Sequence, residues 1–186
     1  MAALRRTSEP RLWRYVIALG SNQRQHRCGS PRAVLGAAVR AMAAAGLVVE
    51  QVAPVIESAP VGPSWRRYAN GAAVVCSVLS PPDVLAVLHA IEAQFGRRRA
   101  RRWGTRVLDL DIVLWEGGVW RSGRRRPLCV PHVAFRDRSF VLGPAMALVP
   151  SWRDPVTGFT LSQLHGRLTR AIHTPRGAHP GGIDRT

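Results

Sequence analysis

The chain has 186 residues, is 46% hydrophobic and carries a formal net charge of +16. That apolar content supports one domain with a real core and excludes a disordered chain. No apolar run reaches the length of a membrane span, and "MAALRRTSEPRLWR" has no stretch suited to a signal peptide. All 27 basic residues are arginine, which favours anionic partners: phosphates, nucleic acid or an acidic surface. Cys28, Cys76 and Cys129 are odd in number and far apart, with no C-x-x-C spacing. They read as reduced thiols in a cytoplasmic protein.

Residues 1–14 read as a disordered basic tail, and 15–170 as one domain. "YVIAL" (15–19) is a buried-strand pattern closed by Gly20-Ser21-Asn22. Ser30-Pro31 sets an N-cap and a first-turn proline for a helix over about 31–45. "LVVEQVAPVIES" (47–58) is strand-rich, with Pro54 marking a bulge or an edge. "APVGPSWRRY" (59–68) is a loop, and "ANGAAVVCSVLS" (69–80) is a further strand. Ser80-Pro81 is expected to start a second helix in the same way as the first. Its Val84, Leu85, Leu88, Ile91, Glu92 and Phe95 form one face, and Gly96 suits its stop. A basic loop (97–106) leads into the strand "VLDLDIVLW" (107–115). Short strands and loops are expected over 116–150, and a disordered tail over 171–186. The order βαββαβ predicts an α+β, ferredoxin-like antiparallel sheet with helices covering one face.

The chemistry concentrates in "RWGTRVLDLDIVLW". Side chains alternate along a strand, so Leu108, Leu110 and Ile112 share one face and Asp109 and Asp111 the other. Two carboxylates about 7 Å apart on one face repel unless a cation or hydrogen-bond donors neutralise them. Magnesium suits them: it is hard, seeks oxygen and is usually held by one or two carboxylates plus phosphates. Two such ions could share the pair. The other reading is a salt-bridged acidic patch facing Arg102 and Arg106. Neither a Walker A loop nor G-x-G-x-x-G is present. Phosphate recognition therefore falls to side chains, and Arg97, Arg99, Arg101, Arg102 and Arg106 stand nearby with forks that match phosphate oxygens.

Five ordered pieces resemble the 6-hydroxymethyl-7,8-dihydropterin pyrophosphokinase family. They are "ALGSN" (18–22), "ESAPVGP" (57–63), "YANGAAV" (68–74), "GRRRARRWGTRVLDLDIVL" (96–114) and "VPHVAFRDRSFVLGPAMALVP" (130–150). The resemblance implies transfer of pyrophosphate from ATP to the pterin hydroxymethyl group, with two magnesium ions, release of AMP and a monomeric enzyme. It implies that Asp109 and Asp111 ligate both metals. Arg97 and Arg106 would contact ATP phosphates, and Arg99, Arg102 and Trp103 would shape that loop. His132 would contact the triphosphate, Arg138 the nucleotide, and His89, Glu92 and Ile112 would line the nucleotide side. Tyr68 and Phe140 would hold the pterin ring and Asn70 its edge, helped by backbone groups near Ser58 and Val61. Thr105, Ala59, Val133 and Cys129 depart from the usual pattern, but none is a metal ligand or an aromatic clamp. The competing reading is a nucleic-acid-binding module on a ferredoxin-like sheet, motivated by the charge. Paired acids count against it because they repel phosphates.

Overall fold

The computed structural model describes residues 11–59, 67–96, 107–123 and 128–173. Strand β1 (Trp13–Ser21) is followed by α1 (Pro31–Ala44), β2 (Val48–Val52), β3 (Ile56–Ser58) and β4 (Tyr68–Ser77). Next come α2 (Pro81–Gln94), β5 (Asp109–Trp115), and the pair β6 (Trp120–Ser122) and β7 (Leu128–Val130). A 3-10 turn (Phe135–Asp137) then leads to α3 (Ser139–Leu148) and α4 (Leu161–His173). The main sheet runs β2-β4-β1-β5, antiparallel throughout, with β3 extending along β4 beyond β2. Counting β2 and β3 as one interrupted strand, this is the ferredoxin-like order. Pro54 lies at the interruption, where the Ala53 amide still reaches the Ala72 carbonyl at 2.9 Å.

The first helix starts as its sequence dictates: Ser30 is the N-cap, and its hydroxyl accepts from the Ala33 amide at 3.3 Å. The second does not follow suit. The Ser80 hydroxyl donates to the Asp83 carboxylate and makes no side-chain bond to the helix amides. A carboxylate in the first turn outcompetes the backbone N–H for that hydroxyl.

Two layers close on the sheet. On one face Tyr15, Ile17, Leu19, Ala73, Val75, Leu110 and Ile112 meet Leu35, Met42, Leu88 and Ile91 of α1 and α2. Burying each large side chain there contributes roughly 1.5–3 kcal/mol. The expectation that helices cover one face is too narrow. Val16, Val74, Val113 and Leu114 on the second face are buried with Leu142 and Ala145 of α3 and Leu161 and Leu164 of α4. The span 116–150 thus holds a helix besides short strands. Pro144 is buried within that helix, where packing on the sheet outweighs its missing N–H. The ends differ too. β1 begins at Trp13, whose ring lies 5.1 Å from that of Trp115, and α4 continues to residue 173.

Candidate active site

The register of the three middle strands builds the site. Gly20 pairs with Asn70 on one side and Asp109 on the other, and Ala18 pairs with Ala72 and Asp111. Directly paired residues in an antiparallel sheet point to the same face. Asn70, Gly20, Asp109 and Asp111 therefore share the face that α3 and α4 cover further along. Here it is open: Gly20, Ala18, Asp109 and Asp111 are half-buried although β1 has a neighbour on each side. The predicted division of the strand holds, with Leu108, Leu110 and Ile112 buried in the helix-side core. The register slips between Val16 and Ile17. Past that slip Val113 and Leu114 both enter the second core.

Among the described residues β5 is an edge strand, and two groups clasp its outer side. Glu92 of α2 is 1% exposed, and its Oε1 accepts from the Leu110 amide, between the two aspartates, at 2.8 Å. The His132 amide donates to the Val113 carbonyl at 3.0 Å. Glu92, expected on the nucleotide side, is buried and holds the acidic strand from inside. Burial beside an edge amide, not exposure, is what its helical position provides.

His132 is brought to the acids. Its Nε2 lies 4.0 Å from Asp111 Oδ2, with side-chain exposures of 26% and 43%. Its Nδ1 accepts from the Ala134 amide at 3.2 Å, which leaves the hydrogen of the neutral ring on Nε2. The separation exceeds a hydrogen bond, yet both groups can reach one ligand. Asp111, His132, His89, Ile112, Leu85 and Cys129 border one recess of about 380 Å³.

On the other side of Gly20, Asn70 is 4% exposed. Its Nδ2 donates to the Ser58 hydroxyl at 2.9 Å, with a longer approach of 3.5 Å to the Tyr68 carbonyl. That orients Oδ1 toward Gly20. The Ser58 side chain thus holds the Asn70 amide; the expectation for it concerned backbone groups nearby. Tyr68 opens β4, on the same face as Asn70, and is half-buried. Phe140, also half-buried, lies in the first turn of α3, a helix that packs on β4 and β3. Arg138 is exposed at the N-cap of α3. Val61, Arg97, Arg99, Arg102, Trp103 and Arg106 lie outside the described residues. No group of three or more His, Cys, Asp or Glu able to hold a metal occurs among the described residues. Asp109 and Asp111, hard oxygen donors on an open face, still fit magnesium, which completes its shell with water and phosphate oxygens.

Gly20 is the feature that the sequence reading missed. It looks like a strand terminator, but it is paired inside β1. No local signal marks it, because its meaning lies in its register with Asn70 and Asp109.

A ferredoxin-like sheet that holds an acid pair beside a histidine, and an oriented amide across a glycine, is an α+β scaffold suited to phosphoryl-group chemistry. The comparisons make this specific. The family model described as 7,8-dihydro-6-hydroxymethylpterin-pyrophosphokinase (HPPK) matches residues 16–150. A 2-amino-4-hydroxy-6-hydroxymethyldihydropteridine pyrophosphokinase of Pseudomonas aeruginosa is 40% identical over 76% of this chain and 84% of its own length. The protein of that name from Synechocystis is 38% identical over 69% of this chain, a match that covers 65% of the relative. In structure, wild-type Plasmodium falciparum HPPK-DHPS superposes with a TM-score of 0.72 at 14% identity over 89% of this chain and 42% of that longer one. The chain belongs to the 7,8-dihydro-6-hydroxymethylpterin-pyrophosphokinase family. Membership places it among the pyrophosphokinases, and the nucleic-acid reading gains no support from these relatives.

Proposed function

We propose that the chain transfers the diphosphate of ATP to 6-hydroxymethyl-7,8-dihydropterin, a step of folate synthesis, and releases AMP. The observation that carries this reading is the row Asn70–Gly20–Asp109 across three strands. It puts the Asn70 amide and the Asp109 carboxylate on one face, on strands two spacings apart, which supports a ring site beside a phosphate site. The pterin hydroxyl oxygen attacks the β-phosphorus while the bond from that phosphorus to the α–β bridging oxygen breaks, AMP leaves and the hydroxyl proton passes to solvent. Attack by a weak alcohol nucleophile needs alignment and charge neutralisation more than a protein nucleophile.

Asn70 Oδ1 accepts from the pterin edge, and Ser58 holds the amide in that sense. Tyr68 and Phe140 offer aromatic faces to the flat ring. His132 donates from Nε2 to a phosphate oxygen, and the recess beside it takes the nucleotide. Asp109 and Asp111 would hold two magnesium ions, which would supply positive charge against the triphosphate. Arg138 and His89 serve the nucleotide from the rim, and the arginines of 97–106 take the phosphate roles implied by the resemblance. The enzyme works as a monomer in the cytoplasm; no described helix is long and apolar enough to cross a membrane.

The test is AMP formation from ATP that depends on both the pterin and magnesium. Activity without the pterin, or none with all three, would refute the reading. Tight RNA binding at physiological salt would favour the nucleic-acid alternative.

A further inference from the structure

Among the described residues, neither backbone nor packing asks for glycine at position 20. Its φ is not in the left-handed region that glycine favours, unlike Gly29 or Gly46. A Cβ there would lie 3.8 Å from Asn70 Oδ1 and 3.9 Å from Asp109 Cβ, both ordinary van der Waals contacts. Alanine therefore fits among the described residues. Glycine inside a strand costs roughly 0.5–1 kcal/mol against alanine. A strand glycine without an internal reason marks a place where something outside the chain comes close. Gly20 is half-buried although strands flank it on both sides, so its exposure is through the face it shares with Asn70 and Asp109.

We propose that Gly20 determines specificity as the floor of the passage between the two halves of the site. The ring held at Asn70 passes its hydroxymethyl arm over Gly20 to the phosphorus held near Asp109 and Asp111. The inference rests on the proposed function and deepens it. A methyl at Gly20 rises between the ring's anchor and the acids and lifts the attacking oxygen off its line. A misplacement of about 1 Å can cost ~10²-fold in rate.

Gly71 supplies the control. It is the next residue after Asn70 but faces the helices, where a Cβ would lie 3.8 Å from Leu35 Cδ1 and 4.0 Å from Val55 Cγ2. The two glycines thus accept a methyl with like ease on opposite faces of the sheet.

The experiment compares Gly20→Ala and Gly71→Ala in the full chain. It reads thermal unfolding, kcat/KM for the pterin, and calorimetric binding of a non-hydrolysable ATP analogue with magnesium. Both variants are expected to melt at or above the wild-type temperature. Gly71→Ala keeps wild-type kcat/KM. Gly20→Ala binds the nucleotide within about twofold of wild type yet loses ~10²-fold in kcat/KM for the pterin. Wild-type kcat/KM in Gly20→Ala overturns the inference and leaves the function standing. So does an equal loss in both variants, a matching loss of nucleotide affinity, or failure of Gly20→Ala alone to fold, which would mean that the space is not open. A wild-type chain inactive toward the pterin overturns the functional reading and this inference with it.

Discussion

The second face of the sheet carries two unlike surfaces on the same strands. At one end Val16, Val74, Val113 and Leu114 are buried beneath α3 and α4. At the other, Gly20, Asp109 and Asp111 lie half open beside buried Asn70. The difference shows how a strand can carry two like charges. Carboxylates about 7 Å apart repel by about 0.6 kcal/mol in bulk water and about 2.4 at an effective dielectric near 20. One fully buried Val or Leu contributes roughly 1.5–3. The covered end outweighs the repulsion several times over, so the fold can carry the acid pair at its open end.

The sharpest way to break this comparison is at the acids. Asp109→Ala and Asp111→Ala should each lower kcat by ~10²-fold or more, the scale of losing a group that stabilises transition-state charge. Their melting temperatures should stay close to that of the wild type. The AMP assay and a thermal melt on the same samples decide. Near-normal turnover in both variants removes the metal role, and a collapse in stability denies that the two ends are separable.

The covered end should behave in the opposite way. Asp154 is 0% exposed and takes both Arg136 nitrogens at 2.7 Å, the Thr157 hydroxyl at 2.6 Å and the Val156 amide at 3.1 Å. Burial pushes its pKa up, but the Arg136 fork, the hydroxyl and the amide together hold it below the ordinary value. Asp154→Ala leaves Arg136 without its partner and should cost about 3–5 kcal/mol of stability, with turnover kept at low temperature. Because the folded pKa is lowered, the carboxylate's contribution is whole above an unfolded value near 3.9. It is lost as pH falls from there through the folded value. The wild-type melting temperature should drop across that acid range more than that of Asp154→Ala; parallel curves would deny the linkage.

A smaller effect is expected where the two ends meet the edge of β5. Glu92→Leu leaves the Leu110 amide without its acceptor, a cost of about 1–3 kcal/mol, and loosens the spacing of Asp109 and Asp111. Its kcat should fall about tenfold with faster hydrogen exchange at Leu110. Glu92→Gln keeps an acceptor and should recover most of both. A glutamine variant as impaired as the leucine one would show that Glu92 acts by its charge.

What could be read in the sequence follows from how local each signal is. The alternation in "VLDLDIVLW" fixed which face the acids take, because strand periodicity depends on neighbours alone. Ser30-Pro31 marked the start of α1 for the same reason. The covering of the second face was less legible. "SFVLGPAMAL" carries a Gly-Pro break, and its helix forms because the sheet buries it. For α4 the signal was present and overlooked. Leu161, Leu164 and Leu168 recur at helical spacing, and Thr160 and Gln163 form a reciprocal cap, with side-chain to amide distances of 2.9 and 3.1 Å. Gly20 was illegible as a site residue because its meaning lies in register with Asn70 and Asp109, and register is a property of three strands together.

The smallest effect compares two thiols on either side of the divide. Cys76 is 2% exposed at the covered end, and its Sγ donates to Glu50 Oε1 at 2.9 Å. Burial first, then the Glu50 carboxylate, push its pKa up to about 11. Cys129 is half-buried and borders the recess with Asp111 and His132. The thiolate is the reactive form, and at pH 8 a thiol of that pKa supplies only ~10⁻³ of it. Iodoacetamide should therefore label Cys129 well before Cys76, as read by peptide mass. Magnesium and an ATP analogue should slow labelling of Cys129 and leave Cys76 unchanged. Equal labelling rates would mean that the covered end opens as readily as the site. Protection of Cys76 alone would move the nucleotide to the wrong end of the sheet.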